Sequence, residues 1–306
     1  MAATRTLRFF LDDGLRESAA SGSHNFIDRV ARLARSNGFE VEYHGDDPES
    51  LALAERDDGA YALFHMRHPV GRRGLVFRRV YHYPFWAIEP TAERWNWHVA
   101  RTAFPADGID PEEATRFARF WRKKLFGMAQ PPQRSEGFLY VPLQGRLTEH
   151  RSFQSCAPID MIEFVLKSDS RPVVAALHPK ETYGLKDHAA LDALASRFGR
   201  LTVTVGEMER YLPACDAVIT MNSSVAFNGF FLHKPALLFA DVDFHHIAQK
   251  AEIGLADALD KLGKTPPDFD CYLFWFWQRM SINAGRPEAE AQIAAAFQRA
   301  GWPILA

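Results

Sequence analysis

The sequence predicts an α/β protein built as two halves, on three observations. Strand-like and helix-like segments alternate along most of the chain, a Pro-rich segment without periodicity interrupts them at 128–137, and 306 residues exceed what one hydrophobic core usually organises. A composition 47 % hydrophobic and 24 % charged excludes a disordered or fibrous chain. A formal net charge of −2 argues against a protein whose main task is to coat nucleic acid.

Leu7 to Leu11 reads as a strand ending in Asp12-Asp13-Gly14. Phe26 to Ala34 carries apolar residues at helical spacing, Asn37-Gly38 stops that helix, and Phe39 to Tyr43 alternates as a strand. Tyr61 to Met66 is a further strand, and Gly74 to Phe85 is a β-branched and aromatic stretch following a basic turn, Arg67 to Arg73. Helices are expected at Ala92 to Thr102 and at Pro111 to Leu125, the latter with Asp110 as N-cap and proline in its first position. Beyond the Pro-rich segment, strands at 138–143, 172–177, 201–205, 217–221 and 236–239 alternate with helices at 159–166, 189–198 and 225–232. This rhythm implies a second, largely parallel sheet with both faces covered. From His245 onward the chain reads as helical.

Ligands of open α/β sheets sit beyond the carboxyl ends of strands, so the loops that follow strands hold the candidate chemistry. Asn222-Ser223-Ser224 opens a helix, where free N–H groups and the dipole favour phosphate; the same residues also serve as ordinary caps. His178-Pro179-Lys180 offers an imidazole and a cation on a rigid turn, a grip for phosphate or carboxylate, or equally a solvated strand end. Asp12 and Asp13 can supply a carboxylate base, each raising the other's pKa at a shared site, and Asp-Asp-Gly is also a common turn. Gln144 follows the first strand of the second half.

Val141-Pro-Leu-Gln144, then His178-Pro179, then Ala214-Cys-Asp-Ala217-Val-Ile-Thr-Met-Asn222-Ser223-Ser224, running on to His233-Lys234-Pro235, resembles the capsule polysaccharide biosynthesis glycosyltransferases. It looks in particular like their Kdo-transferase-like group, over residues 138 to 245. Asn228-Gly229 and His233 depart from that family's pattern. The ordered strings Asp-Asp-Gly, His-Pro and Ser-Ser are also similar to those of bacterial sialyltransferases.

The resemblance implies a GT-B fold, two Rossmann-like domains facing across a cleft: residues 1–127 for the acceptor, a hinge at 128–137, residues 138–265 for the donor, and helices at 266–306 crossing back to the first domain. It implies a nucleotide-sugar donor, CMP-linked, held by Gln144, His178, Pro179, Lys180, Asn222, Ser223 and Ser224, with His178 also in a catalytic role. Asp13, or in second place Asp12, would activate the hydroxyl of an anionic glycan or glycolipid acceptor. No cofactor, metal or nucleic-acid partner is implied. A cytoplasmic enzyme touching the membrane surface is expected. A non-catalytic export or binding protein, a sialyltransferase and a UDP-sugar enzyme on the same plan stay open.

Three scattered cysteines, Cys156, Cys215 and Cys271, exclude a disulfide framework and suit a reducing compartment. The opening Met-Ala-Ala-Thr-Arg-Thr runs into a strand too soon for a signal-peptide core, and no apolar run approaches the roughly 20 residues of a bilayer span. Neither a GxGxxG nor a P-loop occurs, and His245-His246 lacks partners at metal-ligand spacing. Aromatics make up 13 %, with seven Trp. Most of these are expected in the core, while Tyr272 to Trp277, aromatic all round, is read as buried on several sides or resting on a membrane or partner.

Overall fold

The computed structural model describes residues 5–56, 59–251 and 257–305; the opening Met-Ala-Ala-Thr lies outside the described residues. In chain order the first part gives β1 (Arg5–Leu11), α1 (Asp13–Ala20), α2 (Asn25–Ser36), β2 (Phe39–Gly45), α3 (Pro48–Glu55), β3 (Tyr61–His65), β4 (Gly74–Arg79), β5 (Phe85–Glu89) and α4 (His98–Arg101). The middle part gives α5 (Pro111–Phe126), β6 (Leu139–Pro142), α6 (Pro158–Ser168), β7 (Val173–Leu177), α7 (Leu185–Arg197), β8 (Leu201–Val205), α8 (Met208–Ala214), β9 (Ala217–Thr220), α9 (Ser224–Phe231), β10 (Ala236–Leu238), β11 (Gln249–Lys250), α10 (Asp257–Lys261) and α11 (Phe269–Phe274). The last part gives β12 (Ile282–Asn283) and α12 (Ala289–Arg299). Two compact units result, Met1–Thr102 with Phe276–Ala306, and Ala103–Trp275.

The first unit has a six-stranded sheet in the order β12-β5-β4-β3-β1-β2. β1 to β4 run parallel, and β5 and β12 run antiparallel at one edge. Its core joins Leu7, Phe9 and Leu11 of β1 and Phe26 and Val30 of α2 to Ile293 and Phe297 of α12 and to Trp302, all buried. Residues at the end of the chain thus complete the core begun at its start. Phe26 stacks on Trp86 at 4.6 Å, Phe85 on Trp277 at 4.4 Å, and Phe297 on Trp302 at 4.7 Å. Such pairs add about 0.5–1.5 kcal/mol beyond burial alone. Six of the seven Trp are buried, so the aromatic excess is mostly spent on packing, and Tyr272 to Trp277 is interior throughout.

The second unit has a six-stranded, all-parallel sheet in the order β11-β10-β9-β6-β7-β8. β6, β7 and β9 are buried at every position, as the continuous apolar runs require, while edge strand β8 exposes Thr202 and Val203. Both sheets with their covering helices make the α/β plan of two Rossmann-like units that the sequence predicts.

Local departures have local causes. Asp12-Asp13-Gly14 is not a loop but the start of α1, because Asp12 caps it. Gly74 to Phe85 is an antiparallel pair rather than one strand, with Tyr81 at φ +66° in the turn. Residues 92–102 hold only a short 3-10 turn and the one-turn α4. The chain after His245 is not wholly helical, since Gln249–Lys250 and Ile282–Asn283 pair at the sheet edges. Helix α5, which the rhythm assigns to the first half, falls in the second unit. Its Arg122, 2 % exposed, donates to the carbonyls of Phe231 and Ala129 and to Asp270 Oδ1 at 2.9 Å, tying α5 to α9 and α11.

Candidate active site

Where strand order reverses in a parallel sheet, neighbouring connections leave on opposite faces, and the carboxyl ends there open into a crevice. In the first unit β2 and β3 flank β1, so the reversal lies at β1 and β3. Asp12 follows β1, and His65 ends β3. His65 Nδ1 stands 3.6 Å from Asp12 Oδ2, a pairing that the sequence reading missed because β3 lies far along the chain.

The two adjacent acids do not share a site. Asp12 Oδ1 accepts the Leu15 N–H at 3.0 Å, capping α1, while its other oxygen faces His65. Asp13 begins the helix, is 87 % exposed, and pairs with Arg16 at 2.9 Å. Arg16 reaches toward Gly45 at the end of β2, the opposite flank from His65. Burial holds the His65 imidazole below its usual pKa against the opposing pull of Asp12; His24 and Arg78 lower it further. His24 is also held low by burial, and its Nδ1 accepts the Ile27 N–H at 3.2 Å as the cap of α2. The reversal point therefore carries a carboxylate beside an imidazole whose pKa burial lowers.

In the second unit β6 is first in sequence, β7 and β8 lie on one side and β9 to β11 on the other. This is the strand order of dinucleotide-binding domains, with its crevice at β6 and β9. A cavity is found there, lined by Pro142, Leu143, Gln144, Arg151, Pro158, Met161, Thr220 and Met221. Ser223 is buried and its hydroxyl accepts the Val225 N–H at 3.3 Å, capping α9; exposed Ser224 is the first helical residue. Asn222 Nδ2 donates to the Asp241 carbonyl at 3.5 Å.

His178 and Lys180 are exposed on the neighbouring β7 loop. The His178 N–H donates to the Tyr183 hydroxyl at 2.8 Å, and its Nδ1 accepts the Lys180 N–H at 3.2 Å, which leaves Nε2 as the ring nitrogen for a ligand. Pro179 lies between them, fixing the turn. The structure thus brings Gln144 to the β6–β9 crevice, where α9 opens directly after Asn222 and Ser223; His178, Pro179 and Lys180 stand one strand over, at the end of β7.

Two residues were not legible beforehand. Lys234, of the Lys-Pro pair, is buried and donates to the Cys215 carbonyl at 2.7 Å, so its role is internal support. Arg151 lines the cavity, with its guanidinium 4.9 Å above the Phe153 ring. Burial pushes the Cys156 thiol up to about 11 and the Cys215 and Cys271 thiols up to about 12, so none of the three is a thiolate nucleophile at neutral pH. Among the described residues, no group of three His, Cys, Asp or Glu side chains is placed to hold a metal, and no helix is long and apolar enough to cross a membrane.

No protein-family profile matches the chain, and no curated protein is similar to it in sequence. Among solved structures it is similar to Thermosulfurimonas dismutans KpsC, beta Kdo 2,7 transferase, at 12 % identity and a TM-score of 0.52, over 87 % of this chain and 88 % of that chain. The same organism's KpsC, beta Kdo 2,4 transferase, aligns at 10 % identity and 0.46 over 89 % and 90 %. The wall teichoic acid polymerase TagF aligns at 11 % identity and 0.28 over 97 % and 89 %. The first of these likenesses establishes the fold, the GT-B-like plan of two Rossmann-like units.

Proposed function

We propose that this chain is a glycosyltransferase of capsule or surface-polysaccharide assembly. It moves an acidic sugar, Kdo or a similar one, from a CMP donor to an anionic glycan or glycolipid acceptor. The observation that carries the reading is the reversal point of the second sheet: a nucleotide-binding strand order, Gln144 in the crevice, and a helix opening at Ser223 and Ser224. The fold shared with a Kdo transferase supports it.

In the transfer the acceptor oxygen replaces the phosphate oxygen at the anomeric carbon. CMP leaves with the electron pair of the broken C–O bond, and the acceptor proton passes to a carboxylate. Asp13 takes that proton, with Asp12, whose Oδ2 lies 3.6 Å from His65 Nδ1, second in line. His178 and Lys180 neutralise the charge that develops on the phosphate, and Ser223 and Ser224, where α9 opens, hydrogen-bond it. These groups supply the charge stabilisation without a metal. The enzyme works in the cytoplasm, at the inner face of the membrane that carries a glycolipid acceptor.

The test is a donor screen with CMP-Kdo, CMP-sialic acid and UDP-sugars, followed by product formation. Turnover with a CMP donor that His178→Ala abolishes, in a variant whose circular dichroism is unchanged, is the expected result. Turnover confined to UDP-sugars, or undiminished in His178→Ala, would overturn the donor assignment. Nucleotide binding without product would favour a non-catalytic export or binding protein.

A further inference from the structure

We infer that Arg151 is a further residue that recognises the donor phosphate, an inference that rests on the nucleotide-sugar reading and adds to it a cation that no sequence motif marks. The loop after β6 is tightly determined. The Arg151 N–H donates to Gln154 Oε1 at 2.9 Å, the Gln154 N–H returns to the Arg151 carbonyl at 2.9 Å, and His150 Nε2 bonds the Gln154 carbonyl at 2.7 Å. Ser155 then fastens the loop to β10 through bonds from its N–H and hydroxyl to the Phe239 carbonyl, at 2.8 and 2.9 Å.

Arg151, half-buried, lines the cavity together with Gln144, Thr220 and Met221. Arg151 Nε is buried and has no hydrogen-bond partner among the described residues. Burial disfavours the charge and nearby Arg146 adds to that, while Glu149 and Glu181 attract it only from a distance. Phe153 offers its ring face at 4.9 Å, a contact that leaves the N–H donors of the fork without an acceptor among the described residues. A guanidinium held by its loop beside the β6–β9 crevice suits an anion, because it presents a planar fork that fits phosphate bidentately.

Position decides which anion. Thr220 and Met221 lead into α9, which opens at Ser224 directly after its cap Ser223. Arginine fork and helix N-terminus both favour a phosphate at the β6–β9 crevice. Thr220 does not compete, because its hydroxyl donates to the Pro142 carbonyl and accepts the Ser223 N–H. Gln144, the remaining polar side chain in the cavity, is left to contact the donor beside its phosphate.

Binding of CMP, cytidine and inorganic pyrophosphate to the full chain, measured by calorimetry, tests this on wild type, Arg151→Gln and Arg151→Lys. The expected result is a loss of about tenfold to hundredfold in CMP affinity for Arg151→Gln, with cytidine affinity within about twofold of wild type and Arg151→Lys intermediate. An equal loss for CMP and cytidine would assign Arg151 to the base, and unchanged CMP affinity would assign it to packing on Phe153; either overturns the inference. If wild type binds no CMP, the nucleotide-sugar reading fails by itself, and pyrophosphate decides Arg151. Binding lost in Arg151→Gln keeps it as a phosphate ligand, whereas equal or absent pyrophosphate binding ends the proposal. Thermal melting of each variant guards against misfolding, and Arg151→Gln is expected within about 2 °C of wild type, since no internal hydrogen bond is removed.

Discussion

Replacing Asp270 by alanine removes the only carboxylate that, among the described residues, bonds the buried Arg122 guanidinium. Arg122 is 2 % exposed and Asp270 14 %, and Oδ1 of Asp270 meets both Arg122 Nη2 and His233 Nε2 at 2.9 Å. Burial already lowers the pKa of Arg122, and Asp270 opposes that lowering. Carbonyl bonds to Phe231 and Ala129 would remain, but no counter-charge would. Breaking a buried ion pair from one side costs about 3–5 kcal/mol. For a unit of this size each kcal/mol moves Tm by about 2–4 °C, so Asp270→Ala should lower the melting temperature of Ala103–Trp275 by about 6–20 °C. Differential scanning calorimetry reads the shift, with Arg122→Met/Asp270→Leu as the companion. Replacing both charges with apolar groups should return most of the loss, because a buried pair removed whole is often neutral to stability. A melt within 2 °C of wild type for Asp270→Ala, or a double variant worse than the single, would refute the argument that this pair fastens α5 to α9 and α11.

Ser223→Ala should cost about 0.5–2 kcal/mol in urea unfolding through the lost cap of α9, and CMP affinity should fall with it; if stability alone moves, Ser223 serves only the helix. His65 and His24 are held below the ordinary imidazole range by burial, so the unfolded chain takes up protons first as the pH drops below about 6.5, and stability is lost progressively from there down through the folded pKa values. His65→Gln should flatten the urea midpoint between pH 7 and pH 5, and an unchanged slope would remove His65 from that account. Asp13→Asn should abolish transfer while leaving Tm within about 1 °C, because its bond to Arg16 is on the surface; full activity in this variant would move the base to Asp12 or elsewhere.

The strands and most long helices were legible because their signals are local. β7 is five apolar residues in a row, α2 repeats its apolar face at 26, 27, 30, 31, 33 and 34, and α5 carries Asp110, Pro111 and Gly127 at the positions that start and stop a helix. α1 and α3 were not, since α1 buries only Ala19 and α3 buries nothing, leaving no periodicity to read. The candidate site divides the same way. Ser223 and His178 announce themselves by following strands, whereas the Asp12–His65 contact needs the parallel pairing of β1 and β3, and Arg151 depends on how Gln154 folds its loop. The short pairings of Gln249–Lys250 and Ile282–Asn283 carry no pattern of their own and are made by the edges they meet.

The first unit is assembled from two stretches of chain that leave the ribosome far apart in time. Its sheet is largely made by Glu89, yet Ile293, Phe297 and Trp302 of its core are synthesised about 200 residues later. At about 5–20 residues per second that gap lasts on the order of 10–40 s. Throughout it the apolar surface around Leu7, Phe26 and Trp86 lacks its covering helix, while Ala103–Trp275 has every residue it needs by the time Trp275 emerges. Of the two units, the one whose sheet is begun first is therefore completed last, and a stop codon or frameshift ahead of Ile293 would strike the sheet that holds Leu7 and Trp86 rather than the sheet of Ala103–Trp275.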